Sequence, residues 1–189
     1  MSGQDGIVLR RAERADIDVI IEWLDDPLFL GFLHGDSSLA PKQLRERLVA
    51  MLGSNVSPMM MGGGFYIIDD PREGPLGLAS FTELSWRNRY CRFDLHLTGE
   101  AKANGLEDAC LRQTLCYAFG EMNLHRVSRD VAPGETACVQ RMEAMGARRE
   151  AVLRRHVVRN EKAEDVYRYG LLREEFRDAL FETTGPAGE

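Results

Sequence analysis

Tyr90-Cys-Arg-Phe-Asp-Leu-His-Leu97, followed by Thr98-Gly-Glu-Ala-Lys-Ala-Asn-Gly105, is the stretch on which the fold turns. Its first eight residues alternate. Cys91, Phe93, Leu95 and Leu97 fall on one face, and Tyr90, Arg92, Asp94 and His96 on the other, the period-two pattern of a strand with one covered face. Residues 98–104 are polar and read as a loop. From about Gly105 to Glu121 the apolar residues recur at helical spacing, with Leu111, Leu115, Ala118, Phe119 and Met122 as the stripe. A helix that starts straight after a strand presents unpaired N–H groups and a partial positive charge, a seat for an anion such as pyrophosphate. Lys102 adds a direct charge. Taken alone, the segment reads equally as an ordinary strand–helix connection, because glycine is sparse in it.

Downstream, Arg126–Val131 reads as a strand, and Pro133-Gly134 breaks it. A helix follows with Cys138, Met142 and Met145 facing inward and Gly146 ending it. Residues 151–158 and 165–172 read as two strands joined by a turn at 159–162, then a short helix over 173–181. Upstream, residues 7–11 read as a strand, and Asp16 as the N-cap of a helix carrying Ile17, Ile20, Ile21 and Leu24. Residues 28–39 read as a loop, and Pro41 opens a second helix. Residues 65–68 and 76–84 form a hairpin around Asp69–Gly74. The order β α α β β β α β α β β predicts an α/β (α+β) fold: a mixed, mostly antiparallel sheet of about seven strands with helices on both faces.

The composition agrees with one domain over 1–182 and a flexible tail over 183–189 of the 189 residues. Apolar residues are 44% and charged residues 29%, which excludes disordered and low-complexity classes. The net charge of −6 makes non-specific nucleic-acid binding unfavourable, because such binding runs on counterion release. No apolar run approaches membrane-spanning length, and residues 1–6 lack a signal core. Cys91, Cys110, Cys116 and Cys138 form no C-x-x-C pair, so neither a metal site nor a disulfide framework is expected, and a reducing cytoplasm fits.

From Ile7 to Phe176 the chain resembles the GNAT superfamily of N-acetyltransferases, in its RimJ/RimL-like branch. The segments that carry the likeness are Leu9-Arg-Arg-Ala-Glu-Arg-Ala-Asp16, Glu22-Trp-Leu-Asp-Asp-Pro27, Tyr117-Ala-Phe119, Leu124-His-Arg-Val127, Cys138-Val-Gln-Arg-Met-Glu-Ala-Met-Gly146 and Val166-Tyr-Arg-Tyr-Gly-Leu-Leu-Arg-Glu-Glu-Phe176. The resemblance implies acyl transfer from acetyl-CoA, or another acyl-CoA, to a primary amine by direct attack, with no metal. It places the donor's pyrophosphate motif, Arg/Gln-x-x-Gly-x-Gly/Ala, on Lys102, Ala103, Asn104, Gly105, Leu106 and Glu107. It also implies that backbone N–H groups near Leu95 and Leu97 polarise the thioester.

Several positions depart from the family pattern. Glu107 replaces the small residue that lets backbone approach the pyrophosphate. At about 6 Å and an effective dielectric near 20, each unit-charge repulsion is roughly 3 kcal/mol, and far less once the side chain reaches water. Glu135 stands where Asn is frequent. Met142 stands where many members carry a Tyr general acid, and it cannot donate a proton. Cys138 replaces a frequent Ser; its thiol is a weak donor, and it reads equally as a small buried filler.

Asp94 and His96 share the polar face of their strand and are the candidate bases, though a half-exposed sheet places polar residues there anyway. Arg92 stands where the family often has Glu. The resemblance builds the acceptor pocket from Phe29, Phe32, His34, Asp36 and the Trp86 loop. The acceptor is then a small-molecule or peptide amine, and the protein a monomer or homodimer with no membrane partner. Two further readings stay open. The weakened motif could belong to a relative using an acyl-carrier protein or aminoacyl-tRNA as donor, with Arg148, Arg149, Arg154, Arg155, His156 and Arg159 as its basic patch. It could also belong to a non-catalytic binding module.

Overall fold

The computed structural model describes residues 6–23, 63–159 and 162–176, with 42, 43, 46, 49 and 50 between them. Seven strands, β1 (Val8–Arg11), β2 (Gly64–Asp70), β3 (Gly74–Ser85), β4 (Tyr90–Leu97), β5 (Arg126–Val131), β6 (Arg148–Arg159) and β7 (Lys162–Leu172), form one sheet. Their spatial order is β1-β2-β3-β4-β5-β7-β6. Every pairing is antiparallel except β4 with β5. The mixed, mostly antiparallel seven-stranded sheet expected from the sequence is the one observed.

Four helices are described whole: α1 (Ile17–Glu22), α2 (Gly99–Ala103), α3 (Glu107–Phe119) and α4 (Thr136–Ala144). The α3 stripe is the predicted one, with Leu111, Leu115, Ala118, Phe119 and Met122 all buried. It packs with Tyr66, Ile68, Ala79, Phe81, Cys91 and Phe93, the residues of β2–β4 that share a face by register. Ile67, Leu78 and His96 lie on the opposite face, also buried. A cleft bounded by Glu22, Trp23 and His96 shows that the end of α1 overlies that face. Burial on both faces excludes water from most of β4, so His96 is 7% exposed and not the solvent-facing residue that alternation alone implied.

Several boundaries moved for local reasons. The loop expected over 98–104 contains α2, because the Thr98 side chain accepts the Ala101 N–H at 3.2 Å and caps a run of helix formers. α3 therefore begins at Glu107, after Gly105 takes a left-handed conformation at φ +69°. Asp16 does not cap α1; a 3₁₀ turn, Arg14–Asp16, precedes the helix. Its carboxylate instead accepts two bonds from Arg10, at 2.7 and 2.9 Å, and one from the Glu13 N–H. Burial works against that carboxylate, yet these donors hold it below the usual range. The strands expected at 151–158 and 165–172 are longer, and the helix expected over 173–181 is a 3₁₀ turn, Arg173–Glu175, within the described residues. α4 ends as predicted. Gly146 at φ +100° lets the Gly146 and Ala147 N–H groups return to Glu143 and Met142, closing a Schellman motif.

Candidate active site

The one parallel pairing is also the shortest in the centre of the sheet. β4 and β5 stay in register at Tyr90–Arg126, Cys91–Val127 and Arg92–Ser128 and then part. Each continues beside its outer neighbour, β4 with β3 as far as Leu97 and β5 with β7 as far as Val131. The result is a wedge between residues 93–97 and 129–131, open at the end where α2 and α3 begin. β4 cannot bend back freely, because a Cβ on Gly77 would stand 2.2 Å from the His96 carbonyl oxygen.

Arg129 spans this wedge. Its Nε donates to Asp94 Oδ1 at 3.1 Å and its Nη2 to the Leu95 carbonyl at 3.1 Å. The same Oδ1 accepts the Leu95 N–H at 2.8 Å. Arg129 is 9% exposed, with its guanidinium carbon 5.7 Å from the Phe93 ring centroid. Burial lowers its proton affinity, but Asp94 and the more distant Glu135 outweigh that, so it stays charged.

The mouth of the wedge carries a second crossing. Arg141 of α4 pairs with Glu107 in the first turn of α3, and its Nε lies 3.0 Å from Asp108. Leu106 precedes α3 without any side-chain cap, so the first-turn N–H groups face outward uncapped. Gly105, Asn104, Ala103 and Lys102 are exposed beside them, and a Cβ on Gly105 would meet nothing within 4 Å. An uncapped helix start, an open left-handed glycine and a wedge between parallel strands fit a nucleotide thioester. Glu107, at this helix start, is paired with Arg141.

Of the other residues singled out in the sequence, Cys138 is half-buried on α4. Burial pushes its thiol up, partly offset by Arg129, so it is protonated near neutrality. Met142 is fully buried in the main core. His96 lines a cleft of about 190 Å³ with Glu22, Trp23, Thr98 and Gly99. Trp86 lies on the β3–β4 turn, beyond the end of β4 opposite the wedge, four strand residues (about 13 Å) and more from Asp94. Phe29, Phe32, His34 and Asp36 lie outside the described residues. The basic run is divided: Arg148 pairs with Glu175, Arg149 lies over the Tyr167 ring, and Arg154, Arg155 and His156 line a wider concavity on the bulged part of β6.

Arg129 and Arg141 were missed by the sequence reading. The first had a signal: along β5 the inward positions are Val127, Arg129 and Val131, and a charge among valines has to be paired or used. Arg141 follows Cys138 by three residues, on the same side of its helix, but its partner is 34 residues away in sequence.

Known proteins share this fold. An uncharacterised N-acetyltransferase, p20, of Bacillus licheniformis is 22% identical over 170 residues, covering 90% of this chain and 94% of that protein. A spermidine N(1)-acetyltransferase of Vibrio cholerae is 23% identical over 111 residues, 59% of this chain and 64% of that protein. The crystal structure of the spermidine N-acetyltransferase from Vibrio cholerae in complex with CoA and spermine superposes with a TM-score of 0.77 at 20% identity, covering 90% of this chain and 97% of that one. Residues 7–148 match the Acetyltransferase (GNAT) domain. The chain therefore belongs to the GNAT acetyltransferase family, whose members move an acyl group from acyl-CoA to an amine, and is an enzyme of that type.

Proposed function

We propose that the enzyme acylates a small aliphatic amine or a peptide N-terminus, with donor and acceptor meeting across β4. The observation that carries this reading is the placement of two openings on one strand. The wedge lies between β4 and β5, and the Glu22–His96 cleft lies over the face of β4 that carries Asp94. The bound thioester supplies the carbon that the amine attacks, the C–N bond forming as the C–S bond breaks. The chain supplies the rest. Leu95 and Leu97 offer backbone groups to the thioester, and the start of α3 with Lys102, Ala103, Asn104, Gly105 and Leu106 seats the pyrophosphate.

Asp94 accepts the proton the amine must lose. Its Oδ1 is held by three donors from Arg129 and Leu95, which fixes the carboxylate at the wedge. His96 and Glu22 line the acceptor's approach, and Glu22 attracts an ammonium. The Cys138 thiol, protonated near neutrality, returns a proton to the leaving sulfur in this reading. Phe29, Phe32 and His34 are assigned to acceptor binding from the sequence resemblance alone, with Trp86 outside the first contacts. A cleft of this size suits a thin alkyl amine, and spermidine is the first acceptor to try, beside an N-terminal peptide of the kind the RimJ/RimL-like branch would take. The reducing cytoplasm is the compartment in which four cysteines outside any disulfide and a cellular CoA pool fit best.

The test is acetyl transfer from acetyl-CoA to spermidine and to N-terminal peptides, followed by mass spectrometry, for the wild type and Asp94→Asn. Loss of about a hundredfold or more in the variant is expected. Equal turnover by Asp94→Asn would remove Asp94 as base. No turnover of any amine, with acetyl-CoA bound, would remove the acceptor reading.

A further inference from the structure

We propose that Arg129 reads the acyl group of the donor, and that the cleft takes an acyl-CoA ending in a carboxylate, such as a dicarboxylic half-thioester. This inference rests on the acyl-transfer reading of the same wedge and adds the identity of the acyl group.

The position is wrong for a merely structural charge. Val127 and Val131, the inward neighbours of Arg129 on β5, are buried and apolar, and desolvating a guanidinium costs several kcal/mol, by order of magnitude. A residue retained against that cost has partners, and those of Arg129 are few. Nε and Nη2 are engaged by Asp94 and the Leu95 carbonyl, while Nη1 has no acceptor among the described residues. Asp94 can keep Nε and Nη2 while the unused Nη1 takes a second carboxylate. The donors converge on Leu95, the backbone to which the acyl end of the thioester is assigned above.

An acetyl group would present a methyl to this guanidinium and satisfy none of its donors. An acyl chain two or three carbons longer, ending in a carboxylate, gives the planar fork the ligand it matches best. The other charged groups facing this point are Asp94 itself and, more distantly, Glu135, while Arg141 is taken by Glu107 and Asp108, so the unused Nη1 is what an entering anion would meet.

The test compares three stable thioethers of CoA by calorimetry: S-ethyl, an S-propyl chain ending in a carboxylate, and its neutral carboxamide. CoA itself is the common control. The wild type is expected to bind the carboxylate about tenfold or more tighter than the carboxamide, with S-ethyl no tighter than the carboxamide. Arg129→Met should abolish that preference while CoA affinity holds, and Arg129→Lys should keep part of it. Equal binding of carboxylate and carboxamide by the wild type overturns the inference whatever the variants do. So does a preference that survives in Arg129→Met. Failure of CoA and all three thioethers to bind removes the donor site itself, and is distinguishable from equal binding.

Discussion

Replacing Glu107 with Gln, Arg141 with Met, and then both together, tests whether the mouth of the wedge is a charge-balanced phosphate seat. The two side chains are each less than one-third exposed and pair across the mouth, while Asp108, 69% exposed, is largely screened by water. A unit charge about 6 Å from the pyrophosphate contributes roughly 3 kcal/mol at an effective dielectric near 20. A Debye length of about 8 Å at physiological salt cuts that to about half, or about tenfold in affinity. In the wild type the two contributions cancel. Glu107→Gln leaves the arginine unopposed and should tighten acetyl-CoA binding about tenfold. Arg141→Met leaves the carboxylate unopposed and should weaken it by a similar factor. The double variant should return to within about threefold of the wild type. The assay is calorimetric titration at low and moderate salt, with desulfo-CoA as the unreactive control and a thermal melt on each variant to confirm folding. Both single shifts should shrink as salt rises. Single variants moving affinity in the same direction, or a double variant as weak as Arg141→Met, would refute the charge-balance account and make the pair a purely structural strap.

Other consequences are equally direct. Asp130 accepts two bonds from Arg168, both at 2.7 Å; burial raises its pKa but Arg168 wins, holding it below the usual carboxylate range. Because the native pKa is the lower one, the pair stabilises the fold above pH ~4 and that contribution is lost as pH falls through the native value. Asp130→Asn should cost about 1.5–3 kcal/mol at neutral pH and flatten the acid limb of the stability curve, read by denaturant titration from neutral pH downward. Gly77→Ala should destabilise by about 1–3 kcal/mol or more and weaken donor binding, since the added methyl meets the backbone of His96 and Leu97; an unchanged melting temperature would show that β4 is free to shift. Cys138→Ala should lower turnover while leaving acetyl-CoA affinity unchanged if the thiol returns the proton, and the two should fall together if it only packs.

The sheet was legible in the sequence because its signals are local. Alternation at Tyr90–Leu97, the helical stripe from Leu111 to Met122 and the glycine at 146 each fix an element within about ten residues of sequence. What escaped is what local signals cannot carry. Asp16 has the residue type and position of an N-cap, but its carboxylate is taken by Arg10, a choice made when β1 brings that guanidinium alongside. His96 alternates with Cys91 and Phe93, which predicts the water side of a two-sided strand; α1 covers that side, so the face label was right and the burial was not. The short α2 was hidden inside a polar stretch, although Thr98 and the Glu-Ala-Lys-Ala run behind it carry a legible cap and helix.

The same distinction bears on how far a damaged motif should weigh against function. Read along the chain, Glu107 opposes a phosphate, because the cations nearest in sequence, Lys102 and Arg112, do not include its partner Arg141. Read in three dimensions, two acids on the β4–α3 wall, Asp94 and Glu107, each face an arginine on the β5–α4 wall. A donor entering between these walls would meet both arginines at once, one at its phosphates and one at its acyl end. The loss of a small residue at 107 is therefore not independent of the gain of Arg141, nor is the departure of the wedge from an apolar lining independent of Asp94. A motif scored residue by residue counts these as separate defects. Charge pairing across the cleft counts them as one arrangement, and the opposite signs expected for Glu107→Gln and Arg141→Met are what separate the two views.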